Sequence, residues 1–175
     1  MTIVERQLVA RGGWYVVECA IDANGVSPAA DFLRALQEGV LEPDPDSKVD
    51  ELPDDAQIDD YTKFVTWAQL LADDGVPPYQ RAVNDLDNGV WEFKKGSKRL
   101  TFYDTWGDGT YTPKLRYTDR RTCEYPDDDF WWFPKFDELI RLGHAFLKDG
   151  QKAPPADVTQ AERIREEDLR HDRDS

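Results

Sequence analysis

The strongest constraint on the fold of this 175-residue chain is a pair of short β-forming runs bounded by turn residues. Asn88-Gly89 precedes the first run, residues 90–93, and Gly96 separates it from the second run, residues 99–103. Asparagine and glycine adopt the backbone angles of tight turns, whereas aromatic and β-branched side chains favour strands. The pattern predicts an antiparallel β-hairpin, so the chain contains a sheet.

Strand and helix signals in the N-terminal half precede this hairpin. Residues 14–20 are mostly aromatic or β-branched, which predicts a first strand. Ser27 can cap the free amides of a helix, Pro28 suits its first position, and Gly39 ends the apolar spacing that follows. Apolar side chains return at helical spacing over residues 61–74. We therefore expect two helices between the first strand and the hairpin, the second of them packed on the sheet.

The C-terminal part of the chain gives a less regular pattern. Residues 112–136 mix basic, acidic and aromatic side chains, which leaves an extra hairpin and an ordered lid as alternatives. Residues 137–148 fit either a strand or a helix. After a proline-containing connector, residues 156–175 have the spacing of an amphipathic helix rich in Glu and Arg. The order of elements predicts an α+β domain over residues 1–155, with helices on one face of an antiparallel sheet, followed by this terminal helix.

Charge is distributed unevenly along the chain. The formal net charge of -14 opposes nonspecific binding to nucleic acid, because like charges repel. Within residues 41–60 nine acids accompany one lysine and few apolar side chains, which predicts an exposed loop or insertion. Between residues 91 and 121, by contrast, eight Lys and Arg side chains oppose four acids. A local basic face on an acidic body is therefore expected.

The compartment and the metal chemistry follow from what the sequence lacks. No stretch approaches the roughly 18 consecutive apolar residues of a membrane helix, and the N-terminus has no apolar signal core. We expect a cytoplasmic protein with no membrane partner, in which Cys19 and Cys123 are free thiols. His144 and His171 are far apart in sequence and the cysteines lack ligand spacing, so we expect no metal site and no cofactor.

Several stretches of the chain, taken in order, carry a resemblance to a known family. They are Trp14-Tyr15-Val16-Val17-Glu18, Asn24-Gly25-Val26-Ser27-Pro28 with Phe32-Leu33, Leu70-Leu71-Ala72-Asp73-Asp74-Gly75, Leu86-Asp87-Asn88-Gly89-Val90-Trp91-Glu92-Phe93, Lys98-Arg99-Leu100, His144-Ala145-Phe146-Leu147-Lys148, Gln151-Lys152-Ala153-Pro154 and Ala161-Glu162-Arg163. In this order and spacing the chain resembles the phage-derived HigB-like branch of the RelE toxin superfamily. The resemblance leaves two apparent insertions, about residues 41–60 and 104–136. It implies a RelE-like antiparallel sheet with two N-terminal helices on one face and a C-terminal helix, and it favours a strand over residues 139–147.

The same resemblance implies the toxin of a type II toxin-antitoxin system. Such a toxin cleaves messenger RNA, generally on the ribosome, and is controlled by a neighbouring antitoxin, here expected to be a helix-turn-helix protein. Metal-independent cleavage needs a base for the 2′-hydroxyl, a cation for the crowded phosphate and an acid for the leaving oxygen. Arg99 is the candidate phosphate clamp, because a guanidinium offers two parallel donors. Lys94 stands where the family often has an arginine, and His144 is the candidate proton carrier, because imidazole is the side chain that most often transfers protons in catalysis.

The remaining candidates are less specific. Tyr103 is a catalytic candidate through stacking on a base or assisting proton transfer, with a core aromatic as the alternative. The alternatives for Arg99 and His144 are a solvated strand arginine and a packed histidine. Asp149 stands where the family often has a second basic residue, which weakens the predicted site. The candidate RNA-binding residues are Lys95, Lys98, Lys148 and Lys152.

Four consecutive aromatic side chains, residues 130–133, cannot all face one core from a strand. Trp131 and Trp132 are therefore candidates for a partner-binding patch, and a local core that closes the insertion is the alternative. A non-catalytic protein on the same frame, which binds a host or phage protein through its acidic surface and aromatic insertion, is the second function considered. A nucleic-acid mimic is a third, although a solvated acidic loop explains the same acids more simply.

Overall fold

The structure of the protein is a computed structural model that describes residues 5–42, 56–86, 88–148 and 154–175. Its elements in chain order are β1 (Leu8–Arg11), β2 (Val16–Cys19), α1 (Pro28–Glu38), α2 (Gln57–Asp74), β3 (Val83–Asp85), β4 (Trp91–Lys95), β5 (Lys98–Thr105), β6 (Leu139–Leu147) and α3 (Pro155–Asp174). The predicted α+β class is confirmed. Most of the acidic stretch, residues 43–55, lies outside the described residues. None of the helices in the described ranges is long and apolar enough to cross a membrane.

The six strands form one mixed sheet in the order β1-β2-β6-β5-β4-β3. The neighbouring strands are antiparallel except β2 and β6, which run parallel. The prediction of an antiparallel sheet is therefore wrong at this one pairing. Its cause is the connection, because α1 and α2 carry the chain from β2 to the far edge before β3 to β6 return toward it. Parallel neighbours need such a long connection, whereas a tight turn joins only antiparallel strands.

The two helices begin and end as their residue types dictate. The Ser27 side chain accepts a hydrogen bond from the Ala30 amide, and Gly39 ends α1 in the left-handed conformation. Gly75 ends α2 in the same way. Both predicted helices are confirmed, although α2 begins at Gln57, earlier than the expected residue 61. Its first turn follows the acidic stretch, where the apolar spacing gives no signal.

The predicted hairpin is confirmed as β4 and β5. Its register pairs Glu92 with Thr101 and Lys94 with Arg99. For residues 137–148 the strand alternative is confirmed by β6, and the terminal amphipathic helix is confirmed by α3. The edge strands β1 and β3 are absent from the prediction, because four and three residues are too few for alternation to be visible.

The main core lies between the sheet and the pair α1 and α2. The segment over residues 112–136 contains no strand, which excludes the extra hairpin. It folds back so that Trp132, Phe133 and Phe136 pack around the ring of Trp91. The Trp91 Nε1 donates a hydrogen bond to the Lys114 carbonyl at 3.0 Å. The segment is therefore an ordered closure of the main core.

The helix α3 lies on the other face of the sheet, and the buried carboxylate of Asp168 is one of the groups that hold it there. Asp168 Oδ1 accepts hydrogen bonds from the Ile21 amide and from Arg6 Nε, both at 2.9 Å. Asp168 Oδ2 accepts a hydrogen bond from Arg141 at 2.9 Å and another from the Tyr103 hydroxyl. Residues from the N-terminus, β5 and β6 therefore meet at a single side chain of α3.

Candidate functional site

A group of charged side chains lies on the α3 face of the sheet, on β4, β5 and the end of β6. Side chains alternate between the two faces of a strand. Because Trp91 and Phe93 face the main core, Glu92 and Lys94 face the opposite side. Arg99 pairs with Lys94 across the hairpin and shares that side. The hairpin register thus brings two of the predicted catalytic residues together.

A bulge in β6 brings His144 to the same face. Leu100 pairs with Ala145 and Phe102 pairs with Leu142, so Thr101 lies opposite both Gly143 and His144. The Thr101 hydroxyl donates a hydrogen bond to the His144 carbonyl at 2.8 Å. An extra residue in one strand changes the direction of the side chains that follow. The His144 and Phe146 rings consequently stack, with their centroids 5.5 Å apart.

Glu92 is the most unusual group at this site. Its side chain is 0% exposed, and its Oε2 has no hydrogen-bond partner among the described residues. Its Oε1 accepts a hydrogen bond from Asn84 at 3.4 Å and lies 3.6 Å from Arg99 Nε. Burial raises the pKa of the Glu92 carboxyl, and the Asn84 hydrogen bond and the Arg99 charge offset this only in part. The carboxyl is therefore easier to protonate than an exposed one.

Three cations surround this carboxyl. Lys94, Arg99 and Lys148 all lie close enough to influence the pKa of Glu92. Burial lowers the pKa of each of the three, and the charge of Arg99 lowers the pKa of both lysines further. Arg99 donates hydrogen bonds to the carbonyls of Gly96 and Lys98, at 2.6 and 3.0 Å. Lys94 and Arg99, both partly exposed, can attract an additional anion such as a phosphate.

The first turn of α3 adds a second carboxylate at the edge of the site. Asp157 Oδ1 lies 2.8 Å from His144 Nε2. A carboxylate bound to one ring nitrogen fixes the orientation of an imidazole. Asp157 therefore positions His144, and through it α3 is coupled to the charged group on the sheet.

The structure separates the other predicted site residues from this group. Lys98 is 1% exposed and faces the opposite side of the sheet, where its Nζ lies 2.6 Å from Asp60 of α2. Tyr103 is buried under α3 and holds Asp168. Lys95 is partly exposed at the end of β4, opposite Lys98. Lys152 lies outside the described residues.

The two residues of the predicted partner-binding patch, Trp131 and Trp132, lie in different environments. Trp132 is 5% exposed and stacks on Trp91, which makes it part of the main core. Trp131 is partly exposed, and the guanidinium of Arg120 lies 5.4 Å from the centre of its ring. Arg116 covers Trp132 at 4.5 Å. Two of the eight cations between residues 91 and 121, Arg116 and Arg120, therefore contact rings of the aromatic segment, residues 112–136, and not Glu92.

Sequence reasoning missed Glu92, Asn84 and Asp157. A signal for Glu92 was present, since alternation places it between two core aromatics and on the same face as Lys94. Asn84 gave none, because β3 was not predicted. Asp157 gave none, because its contact with His144 depends on how α3 returns to the sheet. The pairing of a buried acid with nearby cations is therefore visible only in the fold.

Comparison with known families adds no identification. No protein-family model matches the sequence, and a search of curated proteins finds no match. Within the described ranges, no three His, Cys, Asp or Glu side chains are grouped so that they could hold a metal ion.

Proposed function

We propose that this protein is a cytoplasmic toxin of the RelE/HigB type that cleaves messenger RNA on the ribosome without a metal ion and is controlled by a helix-turn-helix antitoxin. The observation that carries the proposal is the grouping of Lys94, Arg99 and Lys148 around the buried carboxyl of Glu92, with His144 on the same face. A base, a cationic phosphate site and a proton donor are what metal-independent RNA cleavage requires.

Each residue takes one part of the reaction. Glu92 accepts the proton of the ribose 2′-hydroxyl, and the 2′-oxygen attacks the neighbouring phosphorus. Arg99 and Lys94 stabilise the charge on the phosphate oxygens. The bond from phosphorus to the 5′-oxygen breaks, and His144 donates a proton to that oxygen. The products are a 2′,3′-cyclic phosphate and a free 5′-hydroxyl, so protons and bonds balance.

Because Glu92 is buried, the Arg99 side chain has to move before the carboxyl can meet the RNA. Glu92 has no exposed surface, whereas Lys94 and Arg99 are partly exposed. A phosphate therefore meets the two cations first. Arg99 then exchanges the carbonyls of Gly96 and Lys98 for phosphate oxygens, a gain because an ionic hydrogen bond is stronger than a neutral one. This exchange uncovers the carboxyl beneath it.

The net charge of -14 does not prevent local binding of RNA. At physiological salt, charges separated by more than about 8 Å are largely screened, so a phosphate at the site experiences mainly its neighbours. Those neighbours include three cations, the Glu92 carboxyl, whose pKa is raised, and the Asp157 carboxylate beside His144. The acidic body instead weakens long-range attraction, which suits an enzyme delivered to RNA by the ribosome rather than by its own charge.

The test is regulated expression in bacteria of the wild type and of Arg99→Ala, His144→Ala and Arg121→Ala. Arg121 is the matched control, because its side chain is 89% exposed and pairs only with Asp119 among the described residues. We expect the wild type and Arg121→Ala to arrest growth and to create new mRNA 5′ ends. Arg99→Ala and His144→Ala should do neither, with circular dichroism showing that both are folded. Unchanged growth and transcripts with soluble wild type would overturn the proposal.

A second candidate function is a non-catalytic protein on the same fold that binds another protein. The observation that favours it is a pocket whose walls include two exposed aromatic side chains, Trp14 and Tyr125. Glu92 and the cations around it do not line this pocket. The same expression experiment separates the two functions, because a protein that only binds leaves mRNA 5′ ends unchanged.

A further inference from the structure

A pocket lies between the turn that joins β1 to β2, the C-terminal end of α2 and the aromatic segment. The empty space within it and at its open mouth amounts to about 550 Å³. Its walls contain five aromatic side chains: Trp14, Tyr15, Tyr125, Phe130 and Phe133. Two of them are well exposed, Trp14 at 43% and Tyr125 at 54%. Pockets that combine aromatic walls with a few polar groups are the usual form of a ligand site.

The wall formed by Trp14 is fixed although its ring is exposed. The amides of Trp14 and Tyr15 donate hydrogen bonds to the Ala72 carbonyl, at 2.8 and 3.2 Å. The indole lies directly on Gly75, where a Cβ atom would come within 2.6 Å of the ring. Gly75 also has a φ of 77°, which favours glycine. The backbone and the ring position are therefore set before any ligand binds.

The opposite wall is a tight turn that presents Tyr125. The Asp128 amide donates a hydrogen bond to the Tyr125 carbonyl at 3.1 Å, and the Phe130 amide donates to Asp128 Oδ1 at 2.7 Å. The Tyr15 hydroxyl accepts a hydrogen bond from the Phe136 amide at 3.0 Å. The Trp14 side of the pocket is thus bonded to the end of α2, whereas the Tyr125 side is a turn closed by its own hydrogen bonds.

The charges around the pocket indicate a cationic ligand. Asp74 and Asp128 line it and are exposed. Its own lysine, Lys135, places Nζ 5.8 Å from the centre of the Trp14 ring. The face of an indole attracts cations, and this face already has one beside it. With two carboxylates to one lysine, the pocket retains a negative balance that a second cation can use.

We propose that this pocket binds the side chain of an arginine presented by a protein partner. A guanidinium stacks flat on aromatic rings and donates paired hydrogen bonds to carboxylates, so it uses both kinds of group in the walls. A quaternary ammonium ion would be attracted by the rings and the charges but has no N–H to donate to the carboxylates. The net charge of -14 adds long-range attraction for a basic partner. The site is independent of the proposed cleavage of RNA.

The test is titration of the full-length protein with a blocked five-residue peptide, Gly-Gly-Arg-Gly-Gly, followed by nuclear magnetic resonance of the indole N–H groups. The control peptide carries citrulline, which has the shape of arginine without its charge. We expect the Trp14 indole signal to move with a dissociation constant on the order of 1 mM, because one cation–π contact and one exposed ion pair contribute little each. The citrulline peptide should produce at most a tenth of that affinity.

Variants test the wall residues individually. Followed through the backbone amide signal of Gly75, which this substitution leaves in place, Trp14→Ala should abolish binding. Asp74→Asn should weaken it by roughly three-fold. Trp106→Ala is the matched control, because Trp106 is also well exposed, at 60%, and lies outside the pocket. Lys135→Gln removes the internal cation and should tighten binding by roughly three-fold. A misfolded variant cannot produce this last result, because it is a gain.

Three results would overturn the proposal. The first is equal binding of the arginine and citrulline peptides. The second is unchanged binding by Trp14→Ala. The third is tighter binding of tetramethylammonium than of the arginine peptide, combined with no effect of Asp74→Asn, which would make the pocket a site for quaternary ammonium groups. None of the three depends on whether the protein cleaves RNA.

Discussion

Two fully buried carboxylates on the same face of the sheet differ in how completely their oxygens are hydrogen-bonded. Asp168 has hydrogen bonds to both oxygens, from Arg6, Arg141, Tyr103 and a backbone amide. Glu92 has one long hydrogen bond and an oxygen without a partner among the described residues. Buried carboxylates are normally fully bonded, because an unpaired buried charge is costly. The first carboxylate therefore fastens a helix, whereas the second retains the capacity to take up a proton.

The largest effect should come from breaking the satisfied carboxylate. Asp168→Asn leaves the guanidinium groups of Arg6 and Arg141 with less compensation in a buried position. We expect a loss of about 3–5 kcal/mol in the free energy of unfolding, measured by urea denaturation. Asp31→Asn is the control, since its ion pair with Arg34 is exposed and its loss should stay within about 0.5 kcal/mol. Similar small losses in both variants would contradict the role of Asp168.

Arg141 and Arg99 accompany these two carboxylates, and their substitution should have different effects. Loss of the first should lower stability, and loss of the second should lower activity. Arg141 binds Glu18, Asp168 and Asp172. Arg141→Lys should therefore lower the free energy of unfolding by about 2 kcal/mol, because an ammonium cannot reproduce three directions of bonding. Arg99→Lys should leave stability within about 0.5 kcal/mol and lower the rate of mRNA cleavage roughly ten-fold. If Arg99→Lys lowered the free energy of unfolding and Arg141→Lys lowered the rate of mRNA cleavage, the site would lie under α3.

Phosphate should bind to the part of this sheet face that α3 leaves uncovered, beside Lys94 and Arg99, and not to the part under α3. Its binding there should stabilise the folded protein. At a free phosphate concentration ten times its dissociation constant, the folded protein should gain about 1.4 kcal/mol. Lys94→Gln should reduce this gain, because it removes one of three cations around the site. Thermal unfolding with chloride at matched ionic strength supplies the control for salt effects. A gain that Lys94→Gln leaves unchanged would place the anion elsewhere.

The smallest effect is a pH dependence that comes from Glu92. Because burial raises the pKa of Glu92 in the folded protein, the folded state binds its proton more tightly than the unfolded state does. The contribution of this group to stability is therefore fully present below the unfolded pKa and is lost as pH rises through the folded pKa. Glu92→Gln should remove this loss. Unfolding free energies of the two proteins should thus diverge as pH rises from about 4 to 8 in favour of the variant, and parallel curves would contradict the raised pKa.

The fold was predictable where local chemistry determines structure. Ser27, Pro28 and Gly39 define α1 through capping, and the glycines around β4 and β5 define the hairpin. The pairing of β2 with β6 was not predictable, because alternation within a strand says nothing about which strand lies beside it. The ambiguity of residues 137–148 has the same origin, since only their neighbours in the sheet decide between strand and helix.

The site was predictable in part for a similar reason. Neighbouring residues on a strand face opposite sides, so Lys98 and Arg99 could not both serve one site. Alternation alone assigns Arg99 with Tyr103 to one face, yet α3 covers only Tyr103. That difference rests on a contact with Asp168, 65 residues away in the chain. Long-range packing thus decides which of the aligned side chains remain available.

The most direct test of the account is the rate at which purified wild type and Glu92→Gln cleave mRNA in a cell-free translation reaction. The variant retains the shape and the Asn84 contact of Glu92 but cannot accept a proton at neutral pH. We predict that it cleaves about 100-fold more slowly while its free energy of unfolding is equal or higher. Cleavage by Glu92→Gln at the wild-type rate would contradict the role given to the buried carboxyl, and no cleavage by the wild type would contradict the proposed function itself.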